Sequence, residues 1–388
     1  MPSAASKPRV WVLWGKGAGG NAQMSNLAEA LGWPYEVKQL FYNSLNLLPN
    51  LFVDASLLSL SRRRSTPLQP PWPDLVIGAS RRSVPIARWI RKQSGGHTRL
   101  VHLLHTMAPL DWFDLIITTP QYGLPERDNI VHNIAPLNRI SPNEMSAASL
   151  RWKPRLNRLP RPWWALLVGG NSSSYLFDNQ VARRLAREAT RCAHAAGGSL
   201  LITTSPRTAT AVANTLFDGV HCPAHRYQWR PEDPDNPYLA YLALADGFIV
   251  TADSASQLIE ACLTGKPVQI FDWPQRRRQR YGLKGRLHRW LTSVPADAGS
   301  VSVRSWLAAR YARLIELGLL KPPRDFAAFH RILHSRGLVT GSLSDQQPVT
   351  VPHIDDLERA VNAICRLFEM PLQTDMNSSG HSLHGQSA

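Results

Sequence analysis

Short apolar runs ending in glycine or polar turns recur along the chain, and each is followed by a stretch whose apolar positions return every three or four residues. Strands buried on both faces read as continuous apolar runs, while the helices that cover them keep one apolar stripe, so this alternation predicts parallel strand–helix units. In the first half it predicts strands at Val10 to Trp14, Leu75 to Ile77, Leu100 to Leu104, Leu115 to Thr118 and Ile130-Val131, hence one doubly wound sheet. A second series predicts strands at Trp164 to Val168, Leu200 to Thr204, Gly219-Val220, Gly247 to Thr251 and Val268 to Phe271. Helical spacing returns over 301–337 and 353–370.

The fold class expected is therefore α/β, with two Rossmann-like doubly wound domains facing across a cleft. Between the two series lies RWKPRLNRLPRP, residues 151–162, dense in proline and arginine and without apolar period, which reads as a linker. The expected division is 1–150 for the first domain, 163–300 for the second, C-terminal helices over 301–370, and a disordered tail, rich in Ser, Gly, Gln and His, over 371–388. A length of 388 residues suits two domains of ordinary size.

Composition narrows the chemistry. A hydrophobic content of 44% with 19% charged residues belongs to a globular protein. The four cysteines, Cys192, Cys222, Cys262 and Cys365, are widely spaced without a C-x-x-C pair, so they read as reduced thiols in a cytoplasmic protein. The net charge of +16 calls for an anionic partner: nucleic acid, an acidic membrane surface or a phosphate-bearing small molecule. No helix-turn-helix, zinc-finger or stacking-platform signature is present, which disfavours specific nucleic-acid recognition. The N-terminus runs too soon into a glycine loop to be a signal peptide, and no apolar run approaches the roughly 20 residues of a spanning helix, so neither export nor a membrane span is expected. Two segments could instead rest on the inner face of an anionic bilayer. These are FYNSLNLLPNLFVDASLLSLSRRR at 41–64, read equally as an ordinary buried helix, and the basic stretch QRRRQRYGLKGRLHRW at 275–290, which also reads as a solvated basic loop or a nucleic-acid patch.

Both halves open with a strand running into a glycine-bearing loop: GKGAGGNAQM, with Gly19, Gly20, Asn21 and Gln23, and GGNSSSYLF, with Gly169, Gly170, Asn171 and Ser172. Glycine admits close backbone approach and positive φ, and a following helix offers free N–H groups to phosphate. Neither loop has P-loop or G-x-G-x-x-G spacing, so triphosphate hydrolysis and dinucleotide binding are disfavoured. The segment 236–271 predicts a helix, a strand, a hydroxyl-rich turn and another helix; Asp253, Ser254 and Ser256 lie in the turn, where either serine could cap the helix. Glu260, one to two turns on, could accept both ribose hydroxyls of a nucleotide or simply face solvent. His330 and His334 have metal-ligand spacing but no third ligand, so no metal site is expected.

TADSASQLIEACLTGKPV, preceded by NPYLAYLALAD, resembles the core motif of the bacterial and plant mitochondrial-fission (elongated-mitochondria) family, itself similar to nucleotide-sugar glycosyltransferases of the GT-B fold. LVGGNSSSYLFD, TTSPRT and PDLVIGASRRSVPIAR extend the resemblance in order over roughly residues 8–370. It implies a GT-B-like frame with the donor nucleotide, a UDP- or other NDP-sugar taken as substrate rather than cofactor, held mainly by the second domain. The diphosphate would meet Gly169, Gly170, Asn171, Ser172 and Ser205, with Arg207 as the cation that offsets leaving-group charge without a metal. Family members often carry His or Asp after the second glycine of the first loop, as in G-K-A-G-H-x-x-Q, whereas this chain reads Gly19-Gly20-Asn21-Ala22-Gln23 and has Gly20 at that position. A general base must then come from His105 or Asp111, or the protein does not catalyse transfer. The function expected is glycosyl transfer to an envelope glycan or lipid-linked acceptor at the cytosolic membrane face. The alternative is a non-catalytic, membrane-associated scaffold on the same frame.

Overall fold

The computed structural model describes residues 7–137, 141–172, 174–274, 283–292, 303–322, 324–340 and 355–370. Eleven strands among them form two sheets in which every pairing is parallel. The first holds β1 (Val10–Trp14), β2 (Tyr35–Gln39), β3 (Leu75–Gly78), β4 (Arg99–Leu103), β5 (Leu115–Thr118) and β6 (Ile130–His132) in the order β2-β1-β3-β4-β5-β6. The second holds β7 (Trp163–Leu167), β8 (Ser199–Thr203), β9 (Ala224–Tyr227), β10 (Gly247–Thr251) and β11 (Val268–Phe271) in the order β11-β10-β7-β8-β9. Helices α1 (Ala18–Leu31), α2 (Asn50–Val53) and α3 (Val84–Gln93) belong to the first unit. Helices α4 (Pro142–Leu156), α5 (Asn179–Ala195), α6 (Thr210–Asp218), α7 (Tyr238–Leu244) and α8 (Ala255–Cys262) follow.

Each sheet reverses its direction of growth once. The chain adds β2 to one side of β1 and β3 to the other, and it adds β8 to one side of β7 and β10 to the other. At such a reversal, neighbouring loops leave the strands' C-terminal ends in opposite directions and open a crevice, the usual ligand position in open α/β sheets. The loops after β7 and β10 therefore occupy the favoured place in the second unit.

Two of the strand expectations need correction, and both concern edge strands. Strand β2, YEVKQ, was missed because only Lys38 is fully buried, so it shows no apolar run. Gly219-Val220 is not a strand: Gly219 closes α6, and the edge strand begins at Ala224 with the mixed sequence AHRY. Edge strands as polar as these two bury too little to advertise themselves through hydrophobicity. The 151–162 stretch is helical as far as Leu156, since α4 runs through Pro154 in its final turn and buries Trp152 and Leu156. Residues 301–337 are not one helix but two, Val303–Glu316 and Phe326–Ser335. Residues 275–282 and 371–388 lie outside the described residues.

The segments after the second sheet tie the two units together. Helix Phe326–Ser335 buries Phe326, Phe329 and Leu333 in the second core. Just before it, the Asp325 N–H donates to the Gln121 carbonyl, beyond β5, at 3.0 Å. His330 Nε2 lies 3.1 Å from the Ala252 carbonyl, beyond β10. Arg127 meets Glu316 at 3.4 Å, and the left-handed Gly318 (φ +68°) backs onto Ala108 so closely that no side chain would fit. Residues 316–335 thus touch the C-terminal ends of both sheets. Helix Asp356–Leu367 returns to the first unit, placing Ala360, Val361, Ile364 and Cys365 against Met24, Leu27 and Leu31 of α1. Two doubly wound units linked by a final helix that crosses back make the architecture GT-B-like.

Asp356 anchors that returning helix. Its buried carboxylate accepts the Ala135 N–H at 2.7 Å and the Arg359 guanidinium at 2.5 Å, and its carbonyl accepts from the Asn133 amide at 3.2 Å. Asp356→Ala strands a buried N–H and should cost about 1–3 kcal/mol in denaturant unfolding. Hydrogen exchange should then quicken over 356–367 while β7 and β10 keep their protection.

Candidate functional site

The loops after β7, β8 and β10 are knotted around one carboxylate. The Asp253 side chain has no solvent exposure; its Oδ2 accepts from Arg207 Nη1 at 2.6 Å and from the Gly170 N–H at 3.0 Å. Burial pushes this carboxyl up, against the pull of Arg207 and of the hydrogen bonds it accepts. Around it, Thr251 Oγ1 accepts the Gly169 N–H at 2.7 Å, and the hydroxyls of Ser205 and Thr208 both donate to the Gly169 carbonyl. The Asn171 N–H donates to the Arg207 carbonyl at 3.1 Å.

This packing explains the paired glycines. A Cβ at Gly169 would sit on the Asp253 carboxylate, and one at Gly170, where φ is +144°, would collide with the Arg207 carbonyl. Both positions are set by the closeness of the loops to one another. The polar side chains of the first loop also serve the loop itself: Asn171 Oδ1 accepts the Phe177 N–H at 3.0 Å, and Ser172 Oγ accepts the Tyr175 N–H at 3.0 Å. Arg207 remains partly open, with a side-chain exposure of 38%. A guanidinium held on one side by a buried carboxylate keeps its remaining N–H fork in a fixed direction, which suits a planar or multidentate anion.

The turn after β10 departs from expectation. Ser254 is the N-cap residue of α8, yet its side chain makes no capping bond. Glu260 accepts a hydrogen bond from the buried Tyr238 hydroxyl at the start of α7, so one carboxylate oxygen is already engaged.

In the first unit the glycine loop is shorter than predicted. Helix α1 begins at Ala18, so Gly19, Gly20 and Asn21 are already helical; neither glycine has positive φ, and a Cβ at Gly19 would meet nothing within 4 Å. Asn21 folds back onto Gly15, accepting its N–H at 3.1 Å and donating to its carbonyl at 2.9 Å. Gln23 donates to the Gly19 carbonyl at 3.1 Å and accepts the Leu137 N–H at 3.3 Å. These two side chains are committed to the backbone.

The base candidates separate. His105 lies just past β4 between Leu104 (φ 72°) and Met107 (φ 50°), in a loop of left-handed non-glycine residues. Its Nδ1 accepts the Met107 N–H at 3.1 Å, so the tautomer that fits carries its proton on Nε2 and presents a donor rather than a base. Burial, then the charges of Lys321 and Arg324, lower its pKa to about 4. Asp111 is exposed and paired with Arg127 at 2.7 Å.

The family model described as Mitochondrial fission ELM1 matches residues 18–295. The chain belongs to that family. Among ELM1-family relatives, the mitochondrial fission protein ELM1 of Arabidopsis thaliana is 29% identical over 222 residues, 51% of this chain and 51% of that protein. The chain thus spans about half the length of that relative. Uncharacterized protein RP120 of Rickettsia prowazekii (strain Madrid E) is 25% identical over 295 residues, 68% of this chain and 82% of that protein. Among solved structures, the S. aureus MnaA–UDP co-structure is similar with a TM-score of 0.46 at 11% identity, covering 95% of this chain and 99% of that one. Arabidopsis thaliana UGT89C1 complexed with UDP gives 0.43 at 14% identity, covering 92% and 100%.

In this ELM1-family chain the structure brings Gly169, Gly170, Asn171, Ser205, Arg207 and Asp253 into one cluster. It adds Thr208 and Thr251, which sequence reading passed over although both lie inside the quoted TTSPRT and TADSAS motifs. Lys321 and Arg324, close enough to His105 to depress its pKa, were also missed, because nothing in the sequence shows that this stretch returns to the loop after β4. Among the described residues no three His, Cys, Asp or Glu side chains gather as a metal site.

Two outcomes follow from this geometry. Gly169→Ala should displace Asp253, free Arg207 and lower stability by about 1–3 kcal/mol in thermal or denaturant melts. His102 on β4, lowered by burial to about 3, and His105, at about 4, refuse protons in the fold that the unfolded chain accepts near 6.5. Their contribution is complete above pH 6.5 and is lost as pH falls through the folded values, by up to about 1.4 kcal/mol per pH unit for each ring. Unfolding measured from pH 7 to 4 should show this slope, and His102→Phe should flatten it.

Proposed function

We propose that the chain binds a nucleotide-sugar, with a uridine or other nucleoside diphosphate as carrier, at the loops after β7, β8 and β10, and transfers the sugar to an envelope glycan or lipid-linked acceptor at the cytosolic membrane face. The observation that carries this is the partly open Arg207 guanidinium, fixed by Asp253 at the chain-order reversal of the second sheet. Transfer breaks the sugar–phosphate C–O bond, leaves the electron pair on the diphosphate, and forms a new bond to an acceptor oxygen whose proton must depart. A fixed guanidinium stabilises that leaving charge without a metal. Glu260, whose carboxylate accepts from the Tyr238 hydroxyl, is the acidic side chain of α8 assigned to the ribose hydroxyls.

A second reading is favoured by the first unit. Asn21 and Gln23 are bonded to backbone and His105 presents an N–H, so these positions supply no lone pair to take the acceptor's proton. A protein so built binds the nucleotide without turnover and serves as a membrane-associated scaffold.

Thermal shift with UDP, GDP, ADP and CMP separates these outcomes from failure. One diphosphate should stabilise the protein, and Arg207→Ala should weaken that binding by about ten- to a hundredfold. Because Arg207→Ala also strands the buried Asp253 charge, the pair Arg207→Ala with Asp253→Asn should recover the melting temperature but not the binding. Glu260→Ala should lose binding while Tyr238 stays packed. Indifference to all four nucleotides overturns both readings, whereas binding without product across acceptors selects the scaffold.

A further inference from the structure

The 41–64 segment, which sequence reading left between a buried helix and a membrane contact, is neither hidden nor loose. An isolated antiparallel bridge between Tyr42 and Leu60 closes its base, and Asn43 staples it: the N–H donates to the Ser59 carbonyl at 3.1 Å, the amide to the Leu58 carbonyl at 2.7 Å. Three further ties fix the body of the loop. The Asn50 amide, buried, donates to the Met107 carbonyl at 2.9 Å; Arg81 donates to the Asn46 carbonyl at 2.8 Å; and Arg88 pairs with Asp54.

What this scaffold holds outward is apolar. Leu45, Leu47, Leu48, Leu51, Phe52 and Leu58 are all exposed, with Phe52 at 78%, Leu47 at 72% and Leu58 at 63%. The inner side of the same loop buries Asn50 and Val53. A surface loop ordinarily turns polar side chains to water, and a contiguous apolar face that is rigidly presented marks an interaction surface. Beside it, a groove of about 660 Å³ runs between the loop and α3, floored by Leu57, Leu60 and Trp89 and edged by Arg62, Arg63 and Lys92. The groove lining contains no acidic residue, and Arg62 and Arg63 take part in none of the ion pairs among the described residues. Asp54, the acidic residue of the loop, is taken up by Arg88.

We propose that the loop 43–60 docks the first unit onto an anionic lipid bilayer, with Leu47, Phe52 and Leu58 entering the headgroup–acyl boundary and Arg62, Arg63 and Lys92 meeting lipid phosphates. A protein partner's rim carries both signs of charge; an apolar centre beside a groove lined by Arg62, Arg63 and Lys92 and by no acidic residue matches the plane of an anionic membrane. The docking surface stands independently of the donor reading. Where that reading also holds, the Asn50–Met107 bond places the docked loop against the one carrying His105, so the acceptor would arrive from the bilayer.

Flotation of the full chain with phosphatidylcholine vesicles, with and without a third of phosphatidylglycerol, tests this. Recovery is expected with the anionic vesicles only and should fall as salt is raised. The double variants Leu47→Asp with Phe52→Asp, and Arg62→Glu with Arg63→Glu, should each lower partitioning by at least about tenfold. All four side chains are exposed, so melting temperatures and nucleotide-induced shifts should match the parent; a missing nucleotide shift in the parent would therefore fail the donor reading alone. Absence of flotation, equal recovery on neutral vesicles, or recovery unchanged in both variants overturns the proposal. If light scattering shows that Leu47→Asp with Phe52→Asp converts a dimer to a monomer without changing vesicle recovery, the face belongs to a second copy instead.

Discussion

A carboxylate removed from water is expensive to keep ionised, and the loops at the business end of the second sheet are organised around meeting that cost for Asp253. Arg207 and the Gly170 N–H meet it directly. For them to do so, the loop after β7 must lie almost on top of the turn after β10, which removes room for any side chain at Gly169, and on the Arg207 backbone, which removes it at Gly170. Two glycines, an arginine and an aspartate from three separate strands are thus one requirement. The same requirement makes the guanidinium rigid, because its partner cannot move without exposing or abandoning a charge.

The two sheets meet this cluster differently. In the second, chain-order reversal, glycine closure and a half-open cation coincide at one crevice. In the first, the equivalent reversal between β1 and β3 carries Asn21 and Gln23, whose side chains are spent on Gly15, Gly19 and Leu137. The asymmetry agrees with a donor-holding second unit and a first unit whose distinctive surface is the apolar loop beside α3. Residues 316–335, touching Gln121 on one side and Ala252 on the other, hold these two edges in register.

Much of this was legible in the chain because central parallel strands are buried on both faces. Val10–Trp14, Leu115–Thr118 and Gly247–Thr251 were read to the residue for that reason. The edge strands β2 and β9 were not, since their side chains are mostly exposed or half-buried and only Lys38 among them is buried. At the site, Gly169, Gly170 and Arg207 announced themselves through motif, but the reason for the glycines did not: Asp253 lies more than eighty positions from Gly169, and only the fold shows that the two collide. The exposure of Leu47 and Phe52 was likewise invisible, because an apolar run reads the same whether it faces a core or a membrane.

The crossing-back of Asp356–Leu367 has a consequence for how the molecule is made. Residues Met24, Leu27 and Leu31 are translated more than three hundred residues before the side chains that cover them, Ala360, Val361 and Ile364. The second sheet, contiguous in the chain, can assemble as it is translated, whereas the sheet synthesised first is the last to be sealed. Until that helix is made the apolar flank along α1 stays open, so closure of the first core depends on residues separated from it by the whole of the second unit.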